Sequence, residues 1–177
     1  MKIIVLKFGG TSVGTIKRIN NISKIIVSYL KKRFKVIVVT SAMSGATNKL
    51  IKKSKQISDK FNDSEYDVLV SSGEQISCSL IAAKLSHLGY KSKSYLGWQV
   101  PIVTDNAHKS AKIISIGKKV LINYLRQDGV PIVAGFQGIS LDGRITTLGR
   151  GASDYTAIMI SKYFKAKKCI IYTDVEG

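Results

Sequence analysis

The chain has 177 residues, 45% of them hydrophobic and 22% charged, which suffices for one domain with a real core and is short for two. That composition excludes a disordered polypeptide, and no apolar run has the length of a membrane span or a secretory leader. The net charge of +17 raises nucleic-acid binding, but 23 of the 28 cations are lysine, they are spread along the chain, and no zinc-finger or RNP signature organises them.

In chain order, residues 2–8 form a short apolar run with β-branched residues, a strand closed by two glycines. Ile16, Ile19, Ile22, Ile25, Ile26, Tyr29 and Leu30 recur at helical spacing and predict an amphipathic helix over 15–32. A second buried strand covers 35–42, followed by the polar turn "MSGATN" and a lysine-rich helix from about Lys49. Asn62 to Ser64 supply a start signal for a long helix over 65–88, which Gly89 closes. Residues 91–98 and 101–105 read as strands with a break at Gly97, and 109–127 as another helix. Residues 130–140 form a strand ending in glycines, "DG" at 142–143 is a hairpin turn, 152–164 is helical and 168–175 is the last strand. Nearly continuous apolar strands alternating with helices define an α/β fold, a three-layer α/β/α arrangement with a mainly parallel sheet. One domain, 1–177, is expected. The lysine clusters at 31–33, 52–53, 118–119 and 165–168 fall where helices should end and read as basic surface. Cys78 and Cys169, each in an apolar run, read as buried free thiols of a reducing compartment, so a cytoplasmic location is expected.

Four segments carry candidate chemistry. In "KFGGTS" (7–12), Gly9 and Gly10 join a strand to a helix and let backbone amides approach a phosphate, with Lys7 at the strand end to reach a phosphoryl oxygen. The pattern is neither a Walker sequence nor G-x-G-x-x-G, and a tight turn with a solvated lysine is the plain alternative. In "SAMSGATN" (41–48), Ser41, Ser44, Thr47 and Asn48 surround one glycine and can bind a ligand or cap the next helix. In "SSGEQIS" (71–77), Gly73 costs a helix interior about 1 kcal/mol relative to alanine, and Glu74 lies between apolar stretches. Its carboxylate is either an inward acid facing a cationic group or a solvated one on a frayed helix.

"TLGRGASDYTA" (147–157) is the strongest segment. Arg150 stands between Gly149 and Gly151 and suits a bidentate grip on a carboxylate. Ser153 and Asp154 open the following helix, where Asp154 can cap it and still present an oxygen to a lysine. Only His87 and His108 are available, with no neighbouring nucleophile pattern, so no triad is expected. Histidine and cysteine have no metal-ligand spacing, and no metal residue is assigned.

"KFGGTS", "SAM…TN", "SSGEQIS", "IVAGFQG", "TTLGRGASDYTA" and "IYTDVEG", in this order and spacing, resemble the aspartate kinases of the amino-acid kinase family, from Lys2 to Gly177. The resemblance implies an amino-acid kinase or carbamate kinase-like fold and MgATP-dependent phosphorylation of the side-chain carboxylate of L-aspartate. The product would be 4-phospho-L-aspartate, opening the route to lysine, threonine, methionine and diaminopimelate. It further implies that Lys7 neutralises the transferring phosphoryl group, beside an amide cradle at Gly9 and Gly10 continued by Thr11 and Ser12. Asp154 would hold the lysine, Arg150 the substrate α-carboxylate and Glu74 its ammonium, with Ser41, Thr47 and Ser153 as hydrogen-bonding neighbours. Thr173 and Asp174 match the start of the nucleotide-binding stretch, and magnesium would ride largely on phosphate oxygens.

Two departures stand out. Ala152 replaces the glycine commonest in "GRGGSD", and the family's further ATP-lobe segments and regulatory ACT domains do not follow Gly177. The resemblance therefore implies a catalytic domain complete in its aspartate site and incomplete at its C-terminal end, with weak aspartate and poor ATP binding. The alternative is a non-catalytic remnant or one half of a split enzyme. A homodimer or a complementing C-terminal fragment is the expected partner, with no nucleic acid and no membrane. A sister kinase of glutamate or N-acetylglutamate is disfavoured, because paired Glu74 and Arg150 suit a free α-amino acid.

Overall fold

The computed structural model describes residues 1–149 and 151–173, so Arg150 and residues 174–177 lie outside it. Nine strands and five helices are formed among the described residues. Strand β1 (Ile3–Phe8) is buried at every position and leads through a glycine loop to helix α1 (Ile16–Lys31). Thr15 caps that helix by accepting the Arg18 amide at 3.2 Å, and Ile19, Ile22 and Ile26 are its buried face. Strand β2 (Lys35–Thr40) follows, then α2 (Ala46–Ile57) and the long α3 (Asp63–His87). Asn62 caps α3 by accepting the amides of Ser64 and Glu65, and Gly89, with φ of 84°, ends it. Strands β3 (Ser92–Tyr95), β4 (Ile102–Thr104) and β5 (Ile113–Ile116) precede α4 (Lys119–Arg126). Strands β6 (Val130–Ala134), β7 (Gln137–Ser140) and β8 (Ile145–Thr147), helix α5 (Ala152–Tyr163) and strand β9 (Lys168–Tyr172) complete the described chain.

Five strands form a wholly parallel sheet in the order β3-β6-β2-β1-β9. Alternate residues of its strands feed two cores. Ile4, Leu6, Phe8, Val36 and Val38 pack with Ile19, Ile22 and Ile26 of α1 and Cys78, Ile81 and Leu85 of α3. Ile3, Val5, Ile37, Val39 and Val133 face Leu121 and Leu125 of α4 and Ala157 and Ile160 of α5. The expected α/β/α layering is what forms, because strands buried on both faces need helices on both.

Several expectations change. A second sheet, ordered β5-β4-β7-β8, forms beside the first, with a parallel β4–β7 pair and antiparallel pairs elsewhere. The single strand expected over 130–140 is therefore two, one in each sheet, broken at Gly135 and Phe136. The helix expected over 109–127 is likewise strand β5 followed by the short α4. Ile113 and Ile116 are three apart, as on a helix face, but Ile114 is an extra residue opposite the Val103/Thr104 step, and this bulge turns both outer isoleucines inward. The lysine clusters also divide. That at 31–33 lies at the end of α1 and Lys165 just past the end of α5, whereas Lys168 opens β9, Lys52 and Lys53 are inside α2 and Lys118 opens α4. The "DG" hairpin forms as expected between β7 and β8, with Gly143 at φ 82°. Cys78 is a buried free thiol, while Cys169 is only half-buried. No helix among the described residues is long and apolar enough to cross a membrane.

Candidate active site

A cavity of about 520 Å³ opens at the carboxyl ends of the parallel strands, where open α/β sheets place their ligands. Lys7 comes from the end of β1, Ser41 and Ala42 from the loop after β2, and Phe136 from the crossover after β6. The first turns of α2 and α5 contribute Thr47 with Asn48, and Ser153 with Asp154. Two helix N-termini and a buried lysine thus face one space, which favours an anionic group there.

Lys7 is 7% exposed, and its Nζ lies 2.6 Å from Asp154 Oδ1. The contact is ionic without the alignment of a hydrogen bond. Asp154 does not cap α5, contrary to expectation. Gly151, at φ 73°, occupies the cap position without a side-chain bond, and Asp154 in the first turn turns to Lys7 instead. The "SAMSGATN" side chains do not cap α2 either, since Gly45 at φ 77° holds that position.

Glu74 points inward from α3 and is 4% exposed. Its Oε1 accepts the Ala42 amide at 3.0 Å, and its Oε2 has no partner among the described residues. Burial pushes its carboxyl up from 4.5 to about 7, although the Ala42 amide pulls the other way. Gly73 has a packing reason: a Cβ there would stand 2.8 Å from the Ala42 Cβ, so α3 can approach the β2 loop only without a side chain. Ser77, one turn on, donates to the Ser41 carbonyl at 2.6 Å and fixes the same approach.

The structure gathers Lys7, Ser41, Thr47, Glu74, Ser153 and Asp154 around the cavity. Gly9, Gly10, Thr11 and Ser12 run beside it rather than along its lining. The Gly9 amide donates to the Tyr172 carbonyl at 3.4 Å, and a Cβ at Gly10 would meet the Ala42 carbonyl at 2.8 Å. Thr173 is exposed at the end of β9. Arg150 and Asp174 lie outside the described residues. Sequence reasoning missed Tyr66, Lys109, Phe136 and Thr147, which also line the cavity. Phe136 carried a signal, a bulky residue between glycine-bearing turns. It sits at φ 69°, held by its amide donating to Thr156 Oγ1 at 3.1 Å. Lys109, at φ 66°, pairs with Asp63 and lies 5.0 Å from the centre of the Tyr66 ring. Nothing in its local sequence marks it.

The chain belongs to the amino acid kinase family, whose model matches residues 2–177. Among curated relatives, the aspartokinase of Rickettsia felis is 50% identical over 180 residues, covering all of this chain and 45% of that protein. Aspartokinase 2 of Bacillus subtilis is 45% identical over 177 residues, again over all of this chain and 43% of its own length. The chain therefore spans a little under half the length of these relatives. Among solved structures, aspartate kinase from Synechocystis superposes with a TM-score of 0.84 at 39% identity, over 98% of this chain and 29% of that one. E. coli aspartokinase III in complex with aspartate and ADP gives 0.87 at 27% identity, over 99% of this chain and 50% of that one. Giardia carbamate kinase, at 13% identity and a TM-score of 0.73, shares the fold.

Proposed function

We propose that this chain provides the aspartate site of an ATP-dependent kinase that phosphorylates the side-chain carboxylate of L-aspartate to 4-phospho-L-aspartate. The observation that carries the reading is Glu74, a buried carboxylate with one oxygen unpartnered among the described residues, in the same cavity as the Lys7–Asp154 pair. An amino acid brings an ammonium for the first and a reacting carboxylate for the second. The relatives' names and the aspartate and ADP held by the E. coli neighbour support the same assignment.

Phosphoryl transfer asks a protein mainly for positioning and charge stabilisation. The substrate carboxylate is itself the nucleophile, so no general base is required. Lys7, steadied by Asp154, neutralises charge on the phosphoryl group. Glu74 receives the α-ammonium, and Ser41, Thr47 and Ser153 offer hydroxyls to the substrate. Arg150 is assigned the α-carboxylate, and the Gly9–Ser12 loop, Thr173 and Asp174 the nucleotide side. Among the described residues no group of three His, Cys, Asp or Glu side chains is arranged to hold a metal. Magnesium is proposed to arrive on the nucleotide phosphates, where it would shield their charge. Two copies of the chain, or a complementing segment, are the proposed assembly.

ATP-dependent formation of aspartyl hydroxamate tests the reading, together with direct aspartate titration. Lys7→Met should lower kcat by about 10²–10³, the scale for losing one positioned charge donor. Glu74→Ala should weaken L-aspartate far more than ATP and leave N-acetylaspartate, which has no ammonium, equally poor before and after. Equal losses for both substrates would refute the role of Glu74. Aspartate binding without turnover would restrict the chain to a binding role.

A further inference from the structure

Asp67 lies on α3 seven residues before Glu74, hence two turns away on nearly the same face. It is fully buried, yet it belongs to neither apolar core. Its two oxygens collect donors from two other parts of the chain. Thr147 donates its hydroxyl to Oδ1 from the end of β8, and the Lys109 amide lies 3.1 Å from both oxygens. His108 Nδ1 is 2.7 Å from Oδ2. As a carboxylate Asp67 has only acceptors to offer, so that ring nitrogen is the donor.

These partners are not structural bystanders. Thr147 and Lys109 both line the cavity, and Lys109 holds a left-handed backbone that a lysine adopts only under constraint. The constraint is visible: the Lys109 amide is bound by Asp67, the Ala111 amide donates to the Thr147 carbonyl at 2.9 Å, and Asp105 ties the loop through the Ala107 and Lys112 amides. A glycine Cβ built at Gly149 would come within 3.5 Å of the Lys109 carbonyl, so the loop also abuts the segment leading to α5.

The geometry points to Asp67 as a positioning residue for the aspartate site: from the helix that carries Glu74, it sets the place of the Thr147 and Lys109 wall. This rests on the aspartate reading above. A substrate spanning Glu74 and that wall meets groups whose spacing is governed by one rigid helix. Removing the charge leaves the lining side chains present but loosens their mutual register, and loss of register on the ångström scale is costly to binding.

The test uses Asp67→Asn, Thr147→Val and Thr147→Ser in the full chain, with folding followed by circular dichroism. Asp67→Asn should raise the Kd for L-aspartate about tenfold and leave that for ADP unchanged. Thr147→Val should weaken aspartate several-fold, and Thr147→Ser, which keeps the hydroxyl, should restore it. In parallel, amide hydrogen exchange at Lys109 and Ala111 should quicken at least tenfold in Asp67→Asn. Wild-type aspartate affinity in a folded Asp67→Asn protein overturns the inference. If that variant does not fold, equal aspartate affinity of the Val and Ser variants overturns it. If the parent chain itself takes up no aspartate, the functional reading fails, and unchanged exchange at Lys109 would overturn the positioning role separately.

Discussion

Glu74 couples the site to pH in a way that can be worked out in sign. Its carboxyl is raised from 4.5 to about 7 chiefly by burial, so the folded protein holds this proton more tightly than the unfolded chain. The stabilisation is fully present below pH 4.5 and is lost as pH rises through about 7. The shift corresponds to about 3 kcal/mol. Denaturant titrations from pH 4.5 to 8 should therefore show a component of falling stability that Glu74→Gln abolishes; parallel profiles for the two proteins would exclude it. A substrate ammonium beside the carboxylate favours its ionised form. Aspartate binding at pH 6 should consequently release a proton, measurable by calorimetry in buffers of different ionisation enthalpy. Zero release would place the ammonium elsewhere. Lys7, Glu74, Ser153 and Asp154 were legible from sequence because each stands at or beside a glycine-bearing break in an apolar pattern. Lys109 was not, because its place in the cavity depends on Asp67, 42 residues earlier, accepting its amide.

At the scale of elements, α3 is organised by contacts at close range. Glycine at position 73 forgoes about 1 kcal/mol of helix propensity, but a Cβ there would meet the Ala42 Cβ at 2.8 Å. Overpacking of this kind costs about 1–3 kcal/mol. Gly73→Ala should thus lower stability despite the better helix former, and should also weaken aspartate, because the displaced Ala42 amide is the partner of Glu74. Unfolding midpoints and an aspartate titration check both; a stabilised variant would show that the loop simply yields. Helix α1 was legible from its periodicity and α3 from its signals at Asn62 and Gly89. Strand β5 was not, since its bulge places two isoleucines three residues apart on one face, the spacing a helix would give. The break at Gly135 and Phe136 was also unreadable as a change of sheet, because the two strands it separates, Val130–Ala134 and Gln137–Ser140, follow one another with only two residues between them.

For the whole molecule, the charge of +17 is the dominant electrostatic fact. With 28 cationic and 11 anionic side chains, most cations have no acidic counterpart to pair with, so the compact state is opposed by its own field. Raising salt from about 20 mM to about 300 mM shortens the screening length several-fold. The thermal midpoint should rise by a few degrees across that range, and a fall would mean that the ion pairs outweigh the repulsion. The overall α/β layering was legible because buried parallel strands announce themselves as continuous apolar runs. The second sheet was not, since its strands are three or four residues long and gain their identity from partners elsewhere in the chain.

The position of β1 has a consequence for how the protein is made. Its six residues are all buried, with β2 on one side and β9 on the other. The first partner is synthesised almost at once, but the second ends at Tyr172, after more than a hundred further residues. At about 5–20 residues per second, an apolar edge waits on the order of ten seconds before it is paired. During that interval the nascent chain offers an unpaired strand edge to any neighbour.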